Sequence, residues 1–331
     1  MKGLGLGRAL LSWAAAMLAG CGGSQAPIGV PWPQGSTSAA LNALPRPSNH
    51  SMSGSYGDLL YVGTRGSVVL VSYPQGRVVS SFSTGAFSPT LCANADTGDV
   101  FVDESSSIQE YAHGGTQPIA TLALPSGDVA ASCSVDPTSG NLAVAAGINS
   151  QDKGGLLIYS GSQGTPRLFT SKKLERPDYP AYDGIGDLFL TGYNNANRLG
   201  LYELPNGKSK IIPIPITGFD LNGGIAKAQW DGTYVTIGVS ASALYQIAVS
   251  GSNGTISNLI RLSDSPSAGA YYWIFDGNVF SASSDAGKKN NIGLGVWSYP
   301  SGGSPTSILY GITKGRKDFI GDVTMSVSPS R

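Results

Sequence analysis

Six times along the chain a short apolar segment runs into a turn that closes on glycine. These glycines are Gly76, Gly114, Gly161, Gly207, Gly251 and Gly302, separated by 38, 47, 46, 44 and 51 residues. The segments before them include Val71-Ser72-Tyr73-Pro74-Gln75, Gln109-Glu110-Tyr111-Ala112-His113, Tyr202-Glu203-Leu204-Pro205-Asn206 and Val296-Trp297-Ser298-Tyr299-Pro300-Ser301. A self-similar period of roughly 45 residues marks a repeat architecture in which each unit buries its apolar faces against its neighbours. The runs are short and rich in β-branched and aromatic residues, are bounded by Gly, Pro, Asp and Asn, and show no helical pattern, so each repeat reads as antiparallel strands. The expected fold is all-β: a six-bladed β-propeller of four-stranded antiparallel blades.

Within each repeat the innermost strand is expected to end near an aspartate before a turn, at Asp96, Asp136, Asp183, Asp231 and Asp276. The second strand follows a glycine, as in Asp99-Val100-Phe101-Val102 and Asn141-Leu142-Ala143-Val144, and the third leads into the glycine turns. The outermost includes Val78-Val79, Ile119, Leu168-Phe169, Ile211-Ile212, Ile256 and Ile308-Leu309. Gly57-Asp58-Leu59-Leu60-Tyr61-Val62 has the character of a second strand with no first strand before it. Gly321-Asp322-Val323-Thr324-Met325-Ser326-Val327-Ser328-Pro329 resembles the innermost strand that ends at Asp136-Pro137. The C-terminal strand is therefore expected to pair with the first blade and close the ring, which leaves only short outer edges. Seven blades would require further strands within residues 40–56.

The Asp-x-x-(Ser)-Gly-Asn/Asp-Leu/Val-x-Val pattern resembles the repeats of NHL-type and SMP-30/lactonase-like propellers. The resemblance covers residues 57–331 and carries the architecture; propellers host unrelated activities. At the other end, Lys2 and Arg8 precede an apolar run from Ala9 to Leu18, and Leu18-Ala19-Gly20-Cys21 follows. That layout is a signal peptide over residues 1–21, too short to span a bilayer. The tetrad resembles the bacterial lipobox, which implies lipidation of Cys21 and a membrane partner reached through that lipid; the alternative is an ordinary signal peptide. Gly22 at the next position favours an outer-membrane location, and periplasm and cell surface are both compatible addresses. Residues 22–56, rich in Gly, Ser and Pro, read as a flexible tether before the propeller domain at 57–331. In an oxidising compartment Cys92 and Cys133, in matching repeat contexts, are expected to form a disulfide between neighbouring innermost strands, the alternative being two buried thiols.

The chain has 21 basic and 21 acidic residues, so no electrostatic case exists for a nucleic-acid partner. Its two histidines, His50 and His113, leave little material for a histidine-centred triad or metal site. The long polar loops fall on one face and the tight glycine turns on the other, and variable loops on a rigid scaffold are where binding concentrates. Candidate ligand-binding residues there are Arg65, Asp103, Asn194, Asn195, Asp220, Asn222, Tyr271 and Lys288. The run Tyr271-Tyr272-Trp273-Ile274-Phe275 either lines the channel mouth or fills the core between blades. The repeated aspartates Asp136, Asp183, Asp231 and Asp276 are expected to serve their own turns. The expected function is a non-enzymatic module for a protein or glycan ligand, with no cofactor. Resemblance to gluconolactonase-type propellers implies an alternative, a metal-dependent hydrolase with calcium or another divalent ion on Asp178, Asp220 and Asp264; a structural surface lipoprotein without a discrete ligand is a third.

Overall fold

The computed structural model describes residues 56–148, 153–217, 227–239, 242–265, 271–284, 292–313 and 319–329. The expectations for Cys21, for residues 1–55, and for Asp220, Asn222 and Lys288 lie outside these residues. Six sheets make six blades. The inner strands, in ring order, are Ile320–Ser326, Leu91–Ala93, Asp128–Val135, Arg176–Tyr182, Ala228–Trp230 and Tyr272–Phe275. The second strands are Leu59–Thr64, Val100–Asp103, Leu142–Ile148, Leu188–Tyr193, Val235–Gly238 and Asn278–Ser284. Blade 1 is built from both ends of the domain: Leu59–Thr64 pairs antiparallel with Ile320–Ser326, Tyr61 opposite Thr324 and Val62 opposite Val323. The closing strand does what the sequence pattern required of it.

The core is not one mass but six apolar clusters, each between adjacent blades. The strand Leu59–Thr64 shows how period two produces this. Leu59 and Tyr61 enter the cluster shared with blade 2, beside Leu91, Val100 and Val102. Leu60 and Val62 enter the cluster shared with blade 6, beside Phe280, Ala282 and Leu294. Both faces are covered, so the strand is buried throughout. That explains why the inner runs read as continuous hydrophobic stretches and not as strict alternation. Tyrosine hydroxyls add polar ties across these interfaces: Tyr61 donates to Ala112 O, Tyr159 to Ala123 O, Tyr202 to Lys173 O and Tyr272 to Thr236 O.

All six repeat glycines have φ between 55° and 74°, the left-handed region that favours glycine. At Gly76 and Gly302 the N–H closes back on Ser72 O and Ser298 O at 2.7 and 2.8 Å, and both Tyr–Pro bonds in these turns are cis. The turn before each second strand uses side-chain acceptors. Asp136 Oδ1 takes the Thr138 N–H, Asp183 Oδ1 those of Ile185 and Asp187, and Asp231 Oδ1 those of Thr233 and Tyr234. In blade 2 Asn94 does this job, accepting from Asp96 and Thr97, so the turn centre lies two residues before the expected Asp96. Asp276 has φ 49° and accepts from the Tyr73 hydroxyl of blade 1. Where the chain is interrupted in blade 1, Asp58 Oδ1 accepts the Ser328 N–H at 3.0 Å.

Cys92 and Cys133 form a disulfide between the inner strands of blades 2 and 3, with Cα atoms 5.6 Å apart. Blade 5 departs from the four-strand plan: Ile216–Thr217 adds a short fifth strand, parallel to its outer strand Asn253–Arg261.

Candidate functional site

The beginnings of the inner strands converge on the ring axis at the face where the long loops emerge. Lys227, just before the inner strand of blade 5, places Nζ 2.5 Å from Asp322 Oδ1 on the closing strand of blade 1. Blades 5 and 1 are not neighbours, so the ion pair spans the inner edge of blade 6. Both side chains are buried, at 6% and 1% exposure, and Lys227 also lies 5.3 Å from the centre of the Trp273 ring. Asp322 Oδ2 accepts the Leu91 N–H at 2.8 Å, and Oδ1 the Val323 N–H at 2.8 Å. Burial pushes the Asp322 carboxyl above its ordinary range, and Lys227 is the largest force pulling it back. The carboxylate therefore ties blades 5, 1 and 2 together at one point.

Blade 4 supplies the second carboxylate. Pro177 and Pro180 cannot donate to the sheet ladder, and the register of their strand slips between them. Such a bulge re-aims the side chains it carries; here they are Asp178 and Tyr179. Burial pushes the Asp178 carboxyl up to about 6, opposed by Arg176. Its Oδ2 is buried with no hydrogen-bond partner among the described residues. Tyr179 is raised well above the ordinary phenol range by burial first, then by Asp178 and Asp322. Tyr271 of blade 6, raised by burial and then by Asp322 and Asp178, bonds the Ser88 side chain of blade 2. Groups from blades 4, 6 and 1 influence one another only because they face a shared axis. Blade 3 joins through Ser132, whose hydroxyl donates to Asp178 O at 2.5 Å. Arg176 lies 4.1 Å above the Tyr193 ring at the outer side of this niche. Two further buried hydroxyls, Thr90 Oγ1 and Thr324 Oγ1, are without partners among the described residues.

The expected ligand residues divide. Tyr271 belongs to the axial niche, whereas Tyr272 is fully buried between blades 5 and 6 and Trp273 and Phe275 pack toward blade 1. Arg65 lies 4.7 Å over Phe87, which is 61% exposed and 5.5 Å from Phe319, forming an aromatic patch on the long-loop face. Asp103 is buried, accepts the Ser105 N–H at 2.6 Å, and is pushed up to about 7 by burial. Asn194 is committed to its own turn, accepting from Ala196 and Arg198, and Asn195 is exposed beside it. Asp178 lies in the niche, but Asp264, at φ 61°, lies just after the outer strand of blade 5, and its carbonyl takes the Ser283 hydroxyl. Among the described residues no three His, Cys, Asp or Glu side chains converge as a metal site. Sequence reasoning missed Lys227, Asp322 and Arg176. The one signal for Asp322 was its match to Asp128 in the repeat alignment; a lysine within the small apolar run Ile225-Ala226-Lys227-Ala228 was the only hint of the other.

The likeness to solved structures is one of fold. The chain has TM-scores of 0.57 to a protein of unknown function from Bacteroides caccae and 0.59 to a chain of the nidogen/laminin complex. It is 13% and 12% identical to them and in both cases covers 82% of itself and 99% of the other chain. A TolB-like protein from Agrobacterium tumefaciens gives 0.51 at 14% identity, over 83% of this chain and 99% of that one. The chain is a six-bladed β-propeller. No family model and no curated protein matches it.

Proposed function

We propose that this propeller is a lipid-anchored, extracytoplasmic binding module that takes a protein or glycan ligand on its long-loop face. The observation that carries the reading is the axial niche. Asp178 keeps one buried carboxylate oxygen with no partner among the described residues, beside Tyr271 and Tyr179 and next to an ion pair that is already satisfied. A buried polar atom left unpaired costs roughly 1–3 kcal/mol, and a ligand that donates to it recovers that cost. The exposed Arg65–Phe87–Phe319 patch supplies the residue types that dominate binding surfaces. Anchoring rests on the lipobox resemblance at Cys21 and on the Gly/Ser/Pro-rich segment behind it.

The test uses the full chain, immobilised and probed with a glycan library and with envelope proteins. Retention of a ligand that falls at least tenfold in Asp178→Asn and Arg65→Ala supports the proposal; retention indifferent to both overturns it. Thermal unfolding with EDTA and then with calcium, zinc or manganese separates the hydrolase alternative. A ligand of the native state raises Tm by mass action, so a metal-dependent rise abolished by Asp178→Asn would replace a binding role with a hydrolytic one. Cys21→Ala is expected to abolish lipid labelling and membrane fractionation, and continued labelling would remove the anchor from the proposal.

A further inference from the structure

The opposite face carries a difference between blades that the axial niche does not explain. Three places before the turn glycine stands a tyrosine in blades 1, 2 and 6, and Ile158, Leu204 and Ala248 in blades 3, 4 and 5; in blades 1 and 6 the tyrosine is aimed at the preceding blade. Tyr73 reaches Asp276 of blade 6 at 3.2 Å, and Tyr299 reaches Asp231 of blade 5. In blade 4 the same place holds Leu204, which packs in the cluster between blades 3 and 4 and brings no hydroxyl. There the interface opens into a cleft of about 350 Å³, against about 200 Å³ beside Tyr73. A volume of that size lies within the range of small-molecule sites.

The lining is uneven in its hydrogen-bonding capacity. Its carboxylate, Asp136, is consumed by its own turn, taking the Thr138 N–H, the Thr138 hydroxyl and the Ser139 hydroxyl. At the rim Asp187 takes the Asn206 N–H, and Asp183 takes the N–H groups of Ile185 and Asp187. The donors are less committed. Among the described residues the Lys208 ammonium and the Tyr182 hydroxyl have no hydrogen-bond acceptor, and the Arg167 guanidinium rests 4.6 Å over Phe169. The floor is apolar, from Leu204, Leu188 and Phe169. Spare cationic donors above an apolar floor select a ligand with an anionic acceptor head and a hydrophobic body.

We infer that the cleft between blades 3 and 4 is a second binding site, on the tight-turn face, for a small organic carboxylate whose carboxylate meets Arg167 and Lys208 and whose hydrocarbon part lies on Leu204 and Phe169. The site stands apart from the long-loop face and does not depend on what binds there. The probe is 3-phenylpropionate, with the neutral 3-phenylpropionamide as control, added to the full chain and followed by ligand-observed NMR and calorimetry. The acid is expected to bind and the amide to bind at least about tenfold more weakly, with Arg167→Gln and Lys208→Gln each weakening the acid about tenfold. Leu204→Tyr, which restores the residue used in blades 1 and 6, is expected to abolish binding. Should that variant not fold, the two surface substitutions decide alone. No binding of the acid at millimolar concentration, equal binding of acid and amide, or affinity unchanged by both charge substitutions overturns the site.

Discussion

The two mouths of the propeller use the same residue in opposite ways. On the tight-turn face Asp136, Asp183 and Asp231 each accept from backbone N–H groups within their own turn. Asp136 and Asp231 also take side-chain donors, so both their oxygens are engaged. On the long-loop face Asp322 draws on Lys227 of blade 5 and the Leu91 N–H of blade 2 as well as its neighbour Val323, and Asp178 keeps an oxygen with no partner among the described residues. Carboxylates of the first kind stabilise locally and recur with the repeat. Those of the second kind depend on the assembled ring, and it is there that we propose a ligand is recognised.

The largest expected effect is at the ion pair. Asp322→Ala leaves Lys227 buried and uncompensated, which costs about 3–5 kcal/mol when such a pair is broken. Urea unfolding of the oxidised full chain measures it. The double substitution Lys227→Met with Asp322→Leu is expected to recover most of the loss, because replacing a whole buried pair by apolar groups is often neutral. A loss under about 1 kcal/mol in the single variant would mean that the axis is more hydrated than its burial implies.

Next comes Asp231→Ala on the tight-turn face. It removes the acceptor of two turn N–H groups and the one shared by Tyr299 and Gln246, which keep their bonds to each other and to Thr236. The expected cost is about 2–3 kcal/mol, with ligand retention on the long-loop face unchanged. If retention fell in step with stability, the two mouths would not be separable.

The smallest effect is the pH dependence that Asp178 and Asp103 carry on the long-loop side. Asp178 and Asp103 have native values near 6 and 7 against an ordinary 3.8. The native state therefore binds more protons than the unfolded chain between about pH 4 and those values. Their contribution to stability is present at low pH and is lost as pH rises through that window. Asp178→Asn should flatten the profile between pH 4 and 6, by on the order of 2 kcal/mol, and should be neutral or stabilising at pH 7. A profile identical to that of the parent would show that Asp178 is hydrated.

What could be read in advance was what is local. The six glycines at positive φ and the aspartates ahead of second strands are set by neighbours a few residues away, and the two cysteines stood out by their matched contexts. The closing strand was legible because Ile320–Ser326 copies the pattern that ends at Asp136. The axial niche was not, because Lys227 and Asp322 are 95 residues apart and meet across a blade that lies between them. The bulge at Asp178 had a visible cause in Pro177 and Pro180, but its direction depends on the sheet it interrupts. Asn194 misled in the other way: a polar loop residue with the chemistry of a ligand contact is spent on its own turn. The cleft at Leu204 was not legible, because aligning the turns shows Ile158 and Ala248 at the same place in blades 3 and 5.

The strand Ile320–Ser326 has a consequence beyond mechanical closure. It delivers Asp322 to the axis and meets a partner strand some 260 residues earlier. Contacts of such separation form late, since the intervening chain must first be brought to order. Until that strand docks, Lys227 has no counter-ion, blades 6 and 2 each show an unfilled flank, and the axial niche does not exist. Under the proposed binding role, recognition on the long-loop face is thereby conditional on a finished ring: a partly folded or clipped molecule would present no partial site, and a bound ligand would report complete assembly.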